Sequence, residues 1–428
     1  MKQPLNNSSR IESVDALRGF AVMAIVLVHN LEHFIYPVYP TDAPAWLGTL
    51  DRIVLDGTFS LFAGKAYAIF ALLFGLTFFL QNDRQKREGK DFGWRFLWRM
   101  LMLAVFATLN AAFFPAGDVL MLFAVVSIVL LITRNWSDRA IFITAVIFLL
   151  QPVEWFHCIA ALINPGHTLP DLLVAEMYAE AAEYTKAGEP GAFFLGNITL
   201  GQKASLLWAV NAGRFVQTAG FFLLGHWLGR KRMFSDNGGD RDNTRTWTII
   251  LATAAIAFAP LYTLKELAMQ TQGTAAQSAG TALDMWQKLA FTLVLVSAFV
   301  LSYRLSGRFR KSVSGLRWYG RMSLTNYIFQ SVAGALIYFP IGLNLAPYCG
   351  YTVSLLIGRR PGRKRKQNRW PPHVYRPARP FRAPLCRKQC AEFCDSGKPF
   401  QRNVPDNGPL LPLPYECMEQ SKRTDYPQ

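Results

Sequence analysis

Arg10-Ile11-Glu12-Ser13-Val14-Asp15-Ala16-Leu17-Arg18-Gly19-Phe20 runs directly into Ala21-Val22-Met23-Ala24-Ile25-Val26-Leu27-Val28 and ends on His29-Asn30. From Ala16 onward this is an apolar run of the length a helix needs to cross a hydrocarbon core, ~20 residues. Charges lie at its start and an imidazole at its end. Asp15 and Arg18, at i and i+3, share a helix face and can pair at a membrane boundary. Gly19 leaves space for another helix to approach. His29 follows Arg18 by three turns, about 16 Å along the axis.

Runs of the same kind recur along the chain. Apolar stretches and their breakers predict spans at about Ala16–Phe34, Thr58–Leu80, Arg95–Phe114, Asp118–Thr133, Arg139–Phe156, Leu206–Leu228, Thr246–Leu264, Trp286–Arg304 and Met322–Phe339. A tenth run, Thr352-Val353-Ser354-Leu355-Leu356-Ile357-Gly358, stops at Arg359-Arg360-Pro361 and is too short to cross. The expected fold is all-α: a polytopic transmembrane helical bundle of about nine full spans plus an aborted tenth. Of its 428 residues 51% are hydrophobic and only 17% charged, against about 25% charged in soluble domains. That balance excludes a disordered chain, a coiled coil and a secreted disulfide scaffold.

Basic residues cluster in alternate loops: Arg84, Lys86, Arg87 and Lys90; Arg134 and Arg139; Arg230, Lys231 and Arg232; and Arg304 through Arg321. The remaining loops are acidic or mixed, with Asp42, Asp51 and Asp56 in one and Glu176, Glu180, Glu183 and Glu189 in another. By the positive-inside rule the basic loops and the N-terminus are cytoplasmic. No small-residue cleavage site follows the first run, so a removable signal peptide is not expected. The resulting organisation is a cytoplasmic N-terminus (1–15), a first transmembrane bundle (16–156), a long periplasmic loop with an amphipathic helix near Leu169–Thr185 (157–205), a second transmembrane region (206–358) and a basic tail (359–428).

The net charge of +17 is uneven. Residues 359–428 hold 16 of the 45 Lys and Arg, 6 of the 28 Asp and Glu, and 12 of the 24 prolines. So abrupt a change in mid-run has the composition that a shifted reading frame produces. Nucleic acid is therefore not an expected partner; the lipid bilayer and a small-molecule or glycan substrate are. In the tail, Cys386, Cys390 and Cys394 do not have a standard zinc spacing. His29-Asn30-Leu31-Glu32-His33 fits the inverted zincin pattern H-x-x-E-H, but no downstream third ligand is identifiable. No metal is expected.

Charge within hydrocarbon costs ~2.5–3.5 kcal/mol per residue on insertion scales, so polar residues inside spans mark candidate sites. An outer group comprises His29, Lys65, Asn110, Asp118, Arg214 and Gln217. An inner group comprises Arg18, His226, Arg321, Ser323 and Asn326, with Gln330 deeper. Each also has a plain structural reading: Lys65 and Arg214 can snorkel, and Asn326 and Gln330 can bond neighbouring helices. His29 stands apart because a neutral imidazole is a ready general base.

Three segments together resemble the YeiB-like family of bacterial inner-membrane proteins, whose C-terminal half is a domain of unknown function. They are Arg10 through Ala21, Ile69-Phe70-Ala71-Leu72-Leu73-Phe74-Gly75 through Gly117-Asp118-Val119-Leu120, and Gly320-Arg321-Met322-Ser323-Leu324-Thr325-Asn326-Tyr327-Ile328-Phe329-Gln330-Ser331. That family is similar, mainly in its first span, to integral-membrane acyltransferases that acetylate sugars, the heparan-glucosamine N-acetyltransferase type among them. In polysaccharide O-acetylating enzymes of that group the Arg-Gly is followed, at the distance seen here, by a histidine that His29 matches. Asn110 stands where family members usually have a histidine, and the tenth span is not completed.

The resemblance implies a multi-pass inner-membrane protein and favours acyl transfer. Cytoplasmic acyl-CoA would be the co-substrate, with no bound cofactor. His29, Asp118 and Asn110 are the catalytic candidates. Arg18, Arg321, Asn326, Gln330, Lys65 and Arg214 are candidates for binding substrate or acyl-CoA. The alternative is a transporter or permease without covalent chemistry, for which Gly/Pro-broken helices and internal repeats are expected. An assembly factor in the membrane is a third reading.

Overall fold

Apolar helices dominate the computed structural model, which describes residues 11–32, 40, 43–114, 119–235 and 241–358. Among the described residues there is no strand. The helices are α1 (Glu12–Glu32), α2 (Ala45–Phe62), α3 (Lys65–Arg87), α4 (Gly93–Ala111), α5 (Val119–Val126), α6 (Ile128–Ile132), α7 (Asp138–Leu149), α8 (Pro152–Ile163) and α9 (Val174–Ala187). They continue with α10 (Pro190–Gly196), α11 (Gln202–Asn211), α12 (Arg214–Arg230), α13 (Arg241–Gln270), α14 (Thr274–Leu305), α15 (Gly307–Ser312), α16 (Ser314–Arg321), α17 (Ser323–Tyr338) and α18 (Tyr351–Gly358).

Four helical stretches are long and apolar enough to cross a bilayer: Glu12–Leu31, Ala45–Arg87, Asp242–Gln270 and Thr274–Leu305. A fifth is reached if α7 and α8, bent by 46°, count as one span. The nine spans expected from hydropathy are not reached on that measure, because several apolar runs are broken. Gly64, with φ +74°, separates α2 from α3 within the Ala45–Arg87 stretch, which still counts as a crossing. Ser127 separates α5 from α6, its hydroxyl donating to the Ala124 carbonyl at 2.7 Å. Gln151, with φ +58°, and Pro152 bend the fifth. Gly213, with φ +62°, separates α11 from α12 in the sixth. A hydropathy window sums across such breaks, since glycine and serine are near neutral.

Many large apolar side chains face outward: Trp94 and Leu109 on α4, Leu162 and Ile163 on α8, Ile256 and Leu267 on α13. A water-soluble surface does not carry apolar area on this scale; a lipid-facing one does. The helices and this belt together make it a membrane protein.

α12 is the central strut. It is buried along most of its length and packs against both α3 and α7. Its contacts with α3 advance in step: Tyr67 with Thr218, Phe74 stacked on Phe222 at 4.7 Å, Phe79 beside Gly229. The two helices therefore run parallel. Glycines permit the approach: a Cβ on Gly75 would sit 1.9 Å from the Phe222 carbonyl oxygen, and one on Gly225 1.9 Å from that of Leu72. Buried aromatics, Phe123, Phe221 and Phe222 among them, fill the space around the crossing. α1 and α16 also meet through glycines, but antiparallel, with Gly19 against Leu316 and Gly320 against Asp15.

Gly75→Ala forces backbone apart and is expected to cost about 1–3 kcal/mol or more. Gly48→Ala, on α2 with nothing within 4 Å of the new Cβ, removes only glycine's helix penalty and is expected to be neutral or slightly stabilising. Thermal unfolding of the two variants in detergent tests this; equal midpoints would contradict the assigned crossing.

Candidate functional site

The parallel crossing of α3 and α12 sets two helix starts side by side. Each follows a left-handed glycine, Gly64 or Gly213, and each begins with a cation, Lys65 or Arg214. Only glycine adopts that backbone readily. Lys65 and Arg214 are 5% and 9% exposed, so neither snorkels to solvent. The Lys65 ammonium donates to the Ser60 carbonyl at 3.0 Å and lies 5.6 Å from the Phe291 ring centre. The Arg214 guanidinium lies over Tyr67 at 5.1 Å and Trp208 at 5.5 Å, and its Nε has no hydrogen-bond partner among the described residues.

A third cation joins them. Lys288 of α14 reaches the same turn: a Cβ on Gly64 would be 3.0 Å from Lys288 Cδ and 3.4 Å from Arg214 Nη2. Lys288 is ion-paired with Asp284, one turn earlier on α14. Sequence reading missed Lys288 because the expected span began at Trp286, which made Lys288 a boundary residue. α14 begins twelve residues earlier, at Thr274. The visible signal was Asp284 and Lys288 at i,i+4.

Arg214 and Lys288 line a cavity of about 740 Å³ that is also bounded by His29, Tyr67, Asp56 and Ser205. That volume lies within the usual range for small-molecule sites. His29 is 8% exposed, with Phe114 4.8 Å away and Tyr327 5.8 Å away, ring centre to ring centre. Its Nδ1 is 3.0 Å from Gln330 Nε2 of α17. With the Gln330 amide donating, Nδ1 accepts and Nε2 carries the ring proton. With the amide turned over, its carbonyl accepts the Nδ1 proton and Nε2 becomes the basic atom. Next to His29, Asn30 donates to the Val26 carbonyl and accepts from the Tyr338 hydroxyl at 3.1 Å.

Asn110 is 1% exposed, and neither end of its amide has a partner among the described residues. It lies one turn before Phe114, the ring against His29. Asp118 and His33 fall outside the described residues, as does the tail 359–428. Among the described residues, no group of three metal-ligating side chains is assembled.

The inner candidates form a separate network. Asp15 pairs with both Arg18 and Arg321, each at 3.3 Å. Arg18 also donates to Thr77 at 2.7 Å, and Arg321 lies over the Trp318 ring at 4.7 Å. Glu12 pairs with Arg317 alongside. Asn326 donates to the Tyr319 carbonyl at 2.9 Å, bridging the break between α16 and α17. His226 accepts from Arg230 Nε at 3.1 Å. The structure thus places His29 and Arg214 on one cavity, with Gln330 bonded to His29 and Lys65 adjoining, joins Arg18 and Arg321 through Asp15, and leaves Asn326 at the α16–α17 break.

Comparison with known proteins gives two family matches in succession. Residues 10–159 match the catalytic region of heparan-alpha-glucosaminide N-acetyltransferase, and residues 228–359 match a protein family of unknown function (DUF418). Among relatives, uncharacterized protein YxaH of Bacillus subtilis (strain 168) is 30% identical over 152 residues, 34% of this chain and 37% of its own. An uncharacterized 39.9 kDa protein of Bacillus acidopullulyticus is 31% identical over 121 residues, 28% of this chain and 33% of its own. The chain therefore spans only about a third of the length of those two relatives. Uncharacterized protein YeiB of Escherichia coli (strain K12) is 26% identical over 347 residues, 77% of this chain and 84% of its own. No solved structure matches. Taken together, the two family matches and the long YeiB alignment make the chain similar to YeiB, with distant similarity to acetyltransferases.

Proposed function

We propose that the chain is a membrane acyltransferase that moves an acyl group from cytoplasmic acyl-CoA to a glycan, lipid or small acceptor, with His29 as general base. The observation that carries this reading is a buried imidazole on the wall of a ligand-sized cavity, within the segment similar to an acetyltransferase catalytic region. In the step, His29 Nε2 takes the proton of the acceptor hydroxyl or amine as its oxygen or nitrogen attacks the thioester carbonyl carbon. The C–S bond breaks and the proton passes on to the departing CoA thiolate. Gln330, its carbonyl turned to the Nδ1 proton, holds the tautomer in which Nε2 is basic. Asn110 and Asp118 would orient the acceptor. Arg18 and Arg321 would meet the CoA phosphates at the inner face, exchanging their shared Asp15 for phosphate oxygens. The topology assigned to this activity is a bacterial inner-membrane protein of nine crossings, the shorter and broken helices among them, with a cytoplasmic N-terminus.

A second reading draws on a specific observation. Helices broken at Gly64 and Gly213, with their N-termini toward a cavity, are features of secondary transporters. Under that reading the cavity holds a solute in transit, and no covalent step occurs.

Inverted vesicles supplied with acyl-labelled acetyl-CoA separate the two. Acyl transfer requires label on lipid or glycan, reduced at least ~100-fold by His29→Ala. Gln330→Leu is expected to lower kcat roughly tenfold with little change in KM, as for loss of one orienting hydrogen bond. Label transfer indifferent to His29→Ala would sink the general-base assignment. Transport instead requires uptake of an unmodified solute into proteoliposomes with no label transferred, and labelled product would exclude it as the sole activity. For the topology, single cysteines at Lys86 and Arg232 are expected to react with an impermeant maleimide only from the cytoplasmic side, and one at Asp171 only from the outside; the opposite pattern would reverse the orientation.

A further inference from the structure

Three cations converge at the cavity, and only one of them is held in an ion pair among the described residues. Lys65 and Arg214 are buried, and neither is ion-paired with a carboxylate among the described residues. Lys288 shares its charge with Asp284. Of the nearby groups, Lys265 is paired with Glu266, Asp56 lines the cavity from the exposed side of α2, and Glu154 Oε1 would lie 3.5 Å from a Cβ on Gly213, beside the start of α12. The two helix starts add to the imbalance. Parallel packing of α3 and α12 puts two N-termini together, each equivalent to about half a positive charge with unsatisfied amide hydrogens. An anion placed near the two starts is favoured by both.

A second, independent observation points the same way. Arg214 Nε is buried and unpartnered on a residue that lines the cavity. A buried donor left unsatisfied is costly, and an incoming acceptor removes that cost. Around this cationic end the wall is largely apolar, with Phe59, Phe62, Leu122 and Leu206 among its residues.

We infer that this cavity binds an oxyanion of the phosphate type, held by Arg214 and Lys288 with Lys65 behind them, and takes the rest of the ligand along its apolar wall. The inference rests on the cavity being the substrate site, and it narrows that site's substrate to a phosphate ester. Such a group can come from a phosphate-headed lipid or from a soluble phosphate ester; the recognition chemistry is the same.

The experiment is equilibrium binding of radiolabelled dodecyl phosphate to the full chain in zwitterionic phosphatidylcholine nanodiscs. Because acyl transfer is not the readout, failure here and failure of the enzymatic reading are distinct. Saturable binding is expected, weakened about 10- to 100-fold by Arg214→Gln and by Lys288→Gln, and largely retained in Arg214→Lys. Competition by dodecanol or dodecyltrimethylammonium is expected to fail. Displacement by millimolar inorganic phosphate supports the site and assigns it to a soluble ester; saturable binding that phosphate cannot displace supports the site and assigns it to a lipid. Should Arg214→Gln not fold, the comparison of dodecyl phosphate with dodecanol on the unaltered chain still decides. Equal affinity for the two, or unchanged affinity in both charge-removing variants, would overturn the inference.

Discussion

The close parallel crossing of α3 and α12 is the constraint on which the rest depends. Two glycines, Gly75 and Gly225, each lie where a side chain would run into the partner's backbone. Without hydrophobic drive between helices in lipid, such backbone proximity and packing are what hold a bundle together. The direction of the crossing matters as much as its closeness. An antiparallel pair would separate the two N-termini by a helix length; a parallel pair brings Lys65 and Arg214 to one end, under Lys288. The cavity's electrostatics are thus a consequence of how two helices pack.

The two polar levels differ in kind. In the network around Asp15 every arginine has a carboxylate partner: Asp15 serves Arg18 and Arg321, and Glu12 serves Arg317. That network joins α1 to α16 beside the Gly19–Gly320 contact, so it has a structural role whether or not it also meets a ligand. Around the cavity, Lys65 and Arg214 are in no ion pair among the described residues. Arg214 Nε and the Asn110 amide are buried without partners among the described residues. Nonpolar surroundings make an unmet hydrogen-bonding group expensive, so a water or ligand that supplies the missing partner is favoured there. Of these groups, Arg214 opens onto the cavity that His29 also lines.

The helix breaks connect the fold to both functional readings. Gly64 and Gly213 expose amide ends at membrane depth, which is tolerated where the irregular backbone lines a cavity. A transferase can use them to hold an anionic substrate still, and a transporter to hold one briefly. What distinguishes an enzyme is a base beside the bound group. His29, oriented by Gln330 from α17, stands on the wall of the same cavity as Arg214, far from it in sequence.

Composition and apolar periodicity alone determined that this is an all-helical membrane protein, because hydrocarbon admits few charges and requires backbone groups to be satisfied within helices. The first-span pattern, with Arg18-Gly19 followed by His29, pointed to the acetyltransferase-like half, and the pairing of Asp15 with Arg18 was readable from i,i+3 spacing. The count of continuous spans was not, since a left-handed Gly213 leaves hydropathy almost unchanged while ending a helix. Lys65 and Arg214 were legible as one polar group, but Lys288 was not: it looked like a boundary residue, and α14 is longer than its apolar window. Only tertiary structure decided that Gln330 faces His29 and that Arg321 shares Asp15 with Arg18. Helix spacing governs which residues lie on one face, whereas the glycine-mediated crossings govern which faces meet.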